Sequence, residues 1–247
     1  MKILIIGESC KDIFYYGDAS RLCPEAPVPV FKAINKVENG GMAKNVQNNL
    51  EVFGVVTNII TNENWQDITK TRFVDHRTNH MFLRVDEADD LYGTLNSEEL
   101  KKIDFSSYDA IIVSDYNKGF LPVSLLAEIP KFHNLVFLDT KKLLGDWSEN
   151  YAFIKINNKE FDLTKHTLTT KLANKVIITR GPNGCEYRDH IYAVPPVEVK
   201  DTSGAGDTFI AAFACSYMKT SNIPESIVFA NHCATKVVQK RGVSTCE

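Results

Sequence analysis

The run from Asp201 to Thr208 joins a glycine-rich loop to a carboxylate in the first turn of an apolar helix. Gly204 and Gly206 let the backbone approach a phosphate closely, and the N–H groups and dipole at the helix start would stabilise its charge. Asp207 stands where phosphoryl transfer needs a general base. A helix start in which the aspartate only offsets the dipole also explains the short string Gly-Ala-Gly-Asp. Both readings stay open on this motif alone.

Two earlier motifs would suit a sugar. Asp12 lies just past the first apolar run, where its carboxylate could accept hydrogen bonds from hydroxyl groups, although a turn-forming aspartate has the same position. Gly40 and Gly41 open a helix with Asn45 one turn in. The glycines would let a sugar approach the backbone, and the amide offers both a donor and an acceptor. A Gly-Gly pair before a helix is also common punctuation.

Two later motifs are candidates for a nucleotide and its metal. Glu160 follows the run Phe153–Ile156 and could hold Mg²⁺ through water, since Mg²⁺ keeps much of its hydration shell. A capped helix start with glutamate in its first turn is the alternative. The turn Thr179–Gly184 could flank nucleotide phosphates, or be a plain type I or II turn. The nucleotide candidates are Asn157, Thr179, Arg180, Gly181 and Gly184.

Composition argues against several classes of function. The 247 residues carry a formal net charge of −3 with scattered basic residues, so nothing favours nucleic acid or an anionic membrane surface. No stretch approaches the roughly 18 apolar residues of a membrane span, and Lys2–Gly7 is too short for a signal peptide. No histidine spacing indicates zinc. Six cysteines without a Cys-x-x-Cys pair predict reduced thiols, and therefore a cytoplasmic protein that acts on small molecules.

The elements that would position these residues alternate between strands and helices. Continuous apolar runs bounded by polar residues are typical of a parallel sheet covered on both faces, in an α/β protein. Ligands in such sheets bind beyond the carboxyl ends of the strands. The predicted strands are Ile3–Ile6, Val55–Ile60, Ala110–Val113, Leu135–Leu138, Phe153–Ile156 and Val176–Ile178, and the predicted helices are Met42–Phe53, Val123–Glu128, Gly204–Met218 and Pro224–Gln239.

Two stretches, Ile13–Lys36 and Thr71–Val85, do not fit this alternation. The first has prolines at alternate positions, which indicate an edge strand or a projecting ribbon, and the second has two strand-like halves around His76–Asn79. We interpret both as pieces of a small β lid, inserted at about residues 13–38 and 71–86 of one domain spanning residues 1–247. Because an isolated ribbon is marginal in water, we also expect a homodimer that pairs through the lid.

The motifs occur in the order found in a known family. The string at 201–208 closely resembles the C-terminal signature of the ribokinase (PfkB) carbohydrate kinases, and the motifs at 12, 40–45 and 157–160 precede it in the expected order. This resemblance implies a three-layer α/β/α sandwich with a β lid. It also implies phosphorylation of a sugar by ATP with Mg²⁺ and, in many members, K⁺.

Longer strings resemble the heptose 7-phosphate kinases of that family. They are Ser20–Val30, Ser114–Gly119, Phe229–His232 and Lys240–Thr245, and the likeness covers nearly the whole chain. It implies transfer from ATP to the anomeric hydroxyl of D-glycero-β-D-manno-heptose 7-phosphate, which gives the 1,7-bisphosphate and ADP.

The resemblance also assigns roles to matching positions. Asp207 would deprotonate the anomeric hydroxyl, while the amides of Gly204, Ala205 and Gly206 hold the charge on the transferred group. Arg84 and Lys118 would bind the phosphate of the substrate, and for them the alternative is a solvated lysine or a lid salt bridge. The implied positions are Asp12, Gly41 and Asn45 for the sugar, Arg84 and Lys118 for its phosphate, Asn231 beside the adenine, and Asp201, Thr202, Gly242 and Ser244 around K⁺.

The chain departs from the family pattern at three places. The segment between Ile60 and Thr71 is shorter than the usual strand-helix-strand passage, Asp139 precedes Thr140 where proline is usual, and Glu247 stands short of a customary final helix. We therefore expect part of one sheet face to be uncovered or the lid to be rearranged. Two other functions stay open: a kinase for another sugar or a nucleoside, and a degenerate kinase fold that acts as a binding module.

Overall fold

The computed structural model describes all residues, 1–247. Its strands are β1 (Lys2–Gly7), β2 (Lys11–Leu22), β3 (Pro29–Asn39), β4 (Val56–Ile60), β5 (Thr69–Asp75), β6 (Met81–Glu87), β7 (Ala110–Asp115), β8 (Val136–Thr140), β9 (Phe153–Asn157), β10 (Val176–Thr179), β11 (Cys185–Tyr187) and β12 (His190–Tyr192). Its helices are α1 (Gly41–Val52), α2 (Ser97–Lys101), α3 (Val123–Glu128), α4 (Asn158–Thr164), α5 (Thr170–Ala173), α6 (Ala205–Thr220) and α7 (Ile223–Val237).

The main sheet has eight strands in the order β12-β11-β10-β9-β8-β7-β1-β4. The six strands from β10 to β4 are parallel, and each covers one of the predicted apolar runs. The other two form an antiparallel hairpin at the edge beside β10, which the sequence did not predict. The carboxyl ends of the parallel strands therefore lie at one edge of the sheet.

Two hydrophobic cores, each of 25 buried residues, cover the two faces of the main sheet. Successive side chains of a strand point to opposite faces, so Ile3 and Ile5 of β1 belong to one core and Leu4 and Ile6 to the other. The first core also contains α1, α6 and α7, and the second contains α2, α3 and α5. The predicted arrangement of three layers is therefore present. None of the helices combines the length and apolar character that crossing a bilayer requires.

Strand β4 at the edge of the sheet is covered along one face and only in part along the other, where Ile60 packs against the second core. Thr57 and Ile59 face α1, where Thr57 accepts a hydrogen bond from Gln47. On the other face Val56 is 62% exposed and Asn58 is also exposed. The chain runs from β4 through residues 61–68 directly into the lid, without a helix that would shield this face. The sheet is thus exposed at Val56 and Asn58, next to the shortened segment.

The lid is a separate four-stranded sheet in the order β3-β2-β5-β6. Its strands contain both predicted lid segments, and the proline-rich string forms the tip between β2 and the edge strand β3. Short connectors join the lid to the rest of the chain: residues 8–10 before β2, Gly40 between β3 and α1, residues 61–68 before β5 and residues 88–96 between β6 and α2. At the opposite end, the Arg241 guanidinium donates to the carbonyls of His76 and Arg77 in the β5–β6 turn, and the Asn79 amide donates to Lys200 O.

Candidate active site

The loop at residues 202–206 separates two cavities. The first, here called the polar cavity, has a volume of about 300 Å³ and contains Asp12, Asn45, Lys118 and Asp207. The second, here called the apolar cavity, has a volume of about 570 Å³ and is lined largely by Val, Pro and Ala side chains and by glycine backbone. Gly204 lines the polar cavity, and Ala205 and Gly206 line the apolar one. A group passed from one cavity to the other would cross this loop.

Asp207 lies in the first turn of α6 and is only 3% exposed. Its Oδ2 accepts a hydrogen bond from Asn45 Nδ2 at 2.9 Å, and its Oδ1 accepts one from the Tyr116 hydroxyl at 2.7 Å. Burial raises the pKa of Asp207 to about 6, against the lowering effect of these two donors. The carboxylate can therefore take up a proton near neutral pH, as a general base must.

Two glycines of this loop allow close approach by neighbouring side chains. Gly204 has φ +78°, and a Cβ there would lie 2.5 Å from Asn45 Nδ2. A Cβ on Gly206 would lie 2.7 Å from Lys155 Nζ. Because Gly204 has no side chain, Asn45 can reach Asp207. Because Gly206 has none, the ammonium group of Lys155 lies directly against the loop.

Lys155 is a site residue that the sequence reasoning missed. It lies in β9 and forms an ion pair with Asp139 Oδ2 at 2.8 Å, with both side chains 3% exposed. A lysine inside the continuous apolar run Phe153–Ile156 is the available signal, because buried charges are rare unless they are paired. The pair places a fixed positive charge next to the loop at residues 204–206.

Replacement of Lys155 by Met is expected to destabilise the fold by up to about 3–5 kcal/mol, because it leaves the buried Asp139 carboxylate with only the more distant ammonium of Lys141, at 3.8 Å. Urea unfolding followed by circular dichroism measures the loss. The double variant Lys155→Met/Asp139→Leu removes both charges and should regain most of the stability. Equal stability of the single and double variants would contradict this account.

Four cationic side chains gather in the polar cavity. Arg84 and Lys118 are the two predicted ones, and Lys70 and Arg72 join them. Arg72 and Arg84 are opposite each other in β5 and β6, so both point to the same face of the lid. These cations contact three carboxylates: Asp12 pairs with Arg72, Asp86 with Arg84 and Lys70, and Asp89 with both lysines. The lid salt bridge proposed as the alternative for Arg84 is therefore present, at a residue that lines the cavity.

The other predicted sugar residues also meet here. Asp12, Gly41 and Asn45 line the polar cavity together with Asp207. Burial raises the pKa of Asp12, and the adjacent Arg72 opposes that shift. Gly40 does not line the cavity, since it is the residue before α1 and its carbonyl accepts from Cys10 N.

The predicted nucleotide residues divide into two groups. Thr179, Gly181, Gly184 and Asn231 line the apolar cavity. Two others do not, contrary to expectation. Asn157 caps α4 through its side chain, and Arg180 turns away to pair with Glu186 of β11 and to donate to Asn158.

Glu160 forms a capping box with Asn157, which is the alternative given for this motif. Its Oε1 also lies 2.7 Å from Lys141 Nζ, which is 3.8 Å from Asp139 Oδ1. The carboxylates of Asp139 and Glu160 raise the pKa of Lys141, although burial alone would lower it. Asp139 Oδ1 is buried without a hydrogen-bond partner. Two oxygen donors thus face one cation, an arrangement that suits Mg²⁺ if Lys141 moves aside.

The residues predicted around K⁺ lie on two adjacent loops. Asp201 Oδ2 accepts a hydrogen bond from Gly242 N at 3.2 Å, and its Oδ1 accepts from Ser203 N at 2.8 Å. Thr202 lines the apolar cavity, and the Ser244 hydroxyl lies 3.4 Å from Val237 O. Asp201 and Gly242 are therefore joined by a direct hydrogen bond, whereas Ser244 bonds to Val237 instead of to either of them.

Known relatives resemble this chain in sequence. "Bifunctional protein HldE" of Helicobacter pylori strain J99 is 30% identical over 98% of this chain, and the chain spans 63% of that protein's length. The aligned stretch covers 295 positions, so the relative has insertions compared with this chain.

Solved structures show the same fold. Ribokinase from Thermotoga maritima matches with a TM-score of 0.66 and 20% identity, over 98% of this chain and 94% of that chain. Ribokinase from Arabidopsis thaliana, described in complex with ribose and ATP, matches with a TM-score of 0.68 and 16% identity, over 97% and 93% of the two chains. The predicted ribokinase-like fold is thereby confirmed.

The sequence from residue 32 to residue 247 matches the description "pfkB family carbohydrate kinase". That match covers most of the chain, including the loop at residues 202–206 and Asp207 beside it. The resemblance drawn from the motifs is confirmed. This chain belongs to the PfkB family of carbohydrate kinases.

Proposed function

We propose that the chain transfers the γ-phosphoryl group of ATP to the anomeric hydroxyl of D-glycero-β-D-manno-heptose 7-phosphate, giving the 1,7-bisphosphate and ADP. The observation that carries the proposal is the cluster of four cations in the cavity that also holds Asp207. Cationic side chains form strong, charge-assisted hydrogen bonds with phosphate oxygens, so this cavity suits a sugar that already carries a phosphate. The sequence likeness to HldE proteins favours a heptose.

In the proposed reaction, Asp207 accepts the proton of the attacking hydroxyl. Asn45 and Tyr116 hold its carboxylate in place, and the amides of the 204–206 loop face the group in transfer. Lys155 adds a positive charge on the side of Gly206. Fixed donors and charges aimed at the developing negative charge supply most of the stabilisation in such reactions.

The apolar cavity is our proposed ATP site. Its lining of prolines and valines, with Asn231 on α7, would hold the adenine, and the turn at residues 181–184 would lie along the phosphates. We propose that Mg²⁺ is held by Asp139 and Glu160, partly through water. When bound, Mg²⁺ neutralises charge on the nucleotide phosphates. We also propose K⁺ at the loops of Asp201 and Gly242, which the structure joins.

A coupled ADP-release assay against sugars and their 5-, 6- and 7-phosphates tests the substrate. We expect the highest kcat/KM with the heptose 7-phosphate. A clear preference for an unphosphorylated sugar or a nucleoside would overturn the proposal and favour another kinase of the family. If no acceptor in the panel leads to ADP release although ATP binding is measurable, the degenerate binding module is favoured.

We further propose a homodimer that pairs through the lid. The lid carries an aromatic cluster in which the ring of Phe73 stacks on Tyr15 and meets Phe31 edge-on. Leu83, opposite Phe73 in β6, is 54% exposed. Pairing with a second lid would bury this surface.

Light scattering at micromolar concentration is expected to give about twice the chain mass of 27.8 kDa. The variant Leu83→Glu should shift the protein toward the monomer, while Leu163→Glu, an exposed leucine of α4 outside the lid, should not. A monomeric wild type would contradict the proposal.

We propose a cytoplasmic location. All six cysteines are free thiols, and five of them are buried. Free thiols persist in the reducing cytosol.

A further inference from the structure

One short loop carries Tyr116, a hydrogen-bond partner of Asp207, and Lys118, a member of the cation cluster in the polar cavity. The Tyr116 hydroxyl donates to Asp207 Oδ1 at 2.7 Å, and the Lys118 ammonium contacts Asp89. Only Asn117 separates the two, and it has the uncommon φ of +57°. Because only one constrained residue separates them, a shift of the backbone at Lys118 is passed to the backbone at Tyr116.

Glu8 holds this loop from below. It follows β1, is fully buried and forms no ion pair with a cationic side chain. Instead its Oε2 accepts from Tyr116 N at 2.8 Å, and its Oε1 accepts from Lys118 N at 3.1 Å. A buried carboxylate is costly unless its oxygens are satisfied, so its place here is explained by these two bonds. Burial raises the pKa of Glu8, and the nearby Asp115 adds to that shift.

A second carboxylate fixes the middle of the loop. Asp115 Oδ1 accepts from Asn117 N at 3.1 Å and lies 2.6 Å from Lys142 Nζ. Both ends and the centre of the loop are therefore tied to buried groups at the carboxyl ends of β1 and β7. The loop behaves as one rigid unit that connects two parts of the polar cavity.

We propose that Glu8 and Tyr116 are positioning residues that couple the phosphate-binding Lys118 to the base Asp207, so that the phosphate of the substrate accelerates proton removal as well as binding. This inference rests on the proposed function, because it takes Lys118 as a phosphate ligand. Binding energy from a remote part of a substrate raises kcat when it orients the groups that react. Here the remote part would act through a single loop.

The effect on the base can be read from pH. Tyr116 and Asn45 donate hydrogen bonds to Asp207. The charged groups near it are Asp139 of β8, Lys141 after β8 and Lys155 of β9. Tyr116 is the one that donates an O–H to Oδ1. A donor to a carboxylate stabilises its charged form, so removing the hydroxyl raises the pKa of the base above its present value of about 6. Because the base acts in its deprotonated form, the acid limb of kcat/KM then moves toward higher pH.

The test compares Tyr116→Phe with Tyr108→Phe, which loses a hydroxyl bonded to Asn58 outside both cavities. Steady-state kinetics are measured from about pH 5 to about pH 9 with the sugar phosphate, and with the unphosphorylated sugar in the presence and absence of inorganic phosphate. For Tyr116→Phe we expect kcat to fall roughly ten- to hundredfold with little change in KM, and the acid limb to move up. Tyr108→Phe should match the wild type.

Inorganic phosphate should stimulate the wild-type reaction with the unphosphorylated sugar, and should not stimulate the Tyr116→Phe reaction. Glu8→Gln, which keeps one acceptor oxygen, should show an intermediate response. An unchanged acid limb and an unchanged kcat in Tyr116→Phe would overturn the inference, even in an enzyme that prefers the sugar phosphate. A wild type that prefers the unphosphorylated sugar would instead overturn the proposed function, and the acid limb would still decide the part played by Tyr116.

Discussion

The variant Asp207→Asn is expected to lose about 10²–10⁴-fold in turnover while it keeps its affinity for ATP. The amide preserves the shape of the side chain and its contacts with α1, but it cannot take the proton of the sugar hydroxyl. Asp207 faces the polar cavity, whereas the proposed nucleotide site lies on the other side of the 204–206 loop. The effect should therefore fall on kcat.

Turnover is measured by ADP release, and ATP affinity by isothermal titration calorimetry. Asp162→Asn is the matched control, since Asp162 is an exposed carboxylate of α4 that pairs with Lys165 on the surface. It should keep the activity of the wild type. An Asp207→Asn enzyme with nearly unchanged kcat on its best sugar would show that another group removes the proton.

Replacement of Lys118 by Ala is expected to lower kcat/KM for the sugar phosphate roughly ten- to hundredfold, because a hydrogen bond to a charged group is worth about 1.5–3 kcal/mol. Arg84→Ala should act in the same direction. Weak activity on the unphosphorylated sugar should change little for either variant. This selective loss distinguishes a phosphate site from general damage to the fold, which would lower both activities.

Kinetics with both substrates check this expectation, with Lys101→Ala as the matched control. Lys101 is an exposed lysine that pairs with Glu98 in α2, away from both cavities. Equal losses on the two substrates would speak against phosphate binding by Lys118 and Arg84, and would leave an ordinary sugar kinase as the better description.

The parallel sheet could be predicted because each of its strands is a continuous apolar run with polar ends. Such a strand can be recognised without knowing its neighbours in the fold, because both of its faces are buried and most of its residues are apolar. The hairpin of β11 and β12 could not be predicted in this way, because each strand has only three residues and Glu186 and His190 interrupt the apolar pattern. Helices α2 and α5, with five and four residues, are too short to show a helical period.

The same limit explains why some expected residues do not line the cavities and why some residues that do were not expected. Arg180 was expected at the nucleotide, but its guanidinium pairs with Glu186 in the hairpin that the sequence did not predict. Lys70 and Arg72 were missed because the sequence does not reveal the register between β5 and β6. That register decides which side chains of β5 lie on the same face as Arg84. Asp207 and its glycine loop could be proposed from the sequence because the signal is a short string of residue types at fixed spacing.

The short connectors of the lid determine how substrates reach the polar cavity. Four short connectors join the lid to the rest of the chain, residues 8–10, Gly40, 61–68 and 88–96, and they limit how far the root of the lid can move. The opposite end is held by side-chain contacts from Arg241 and Asn79, which can break and form again. We therefore expect the lid to open as a hinged flap, with its widest movement at the β5–β6 turn. If sugar and product pass through that opening, the Arg241 contacts must break before product is released.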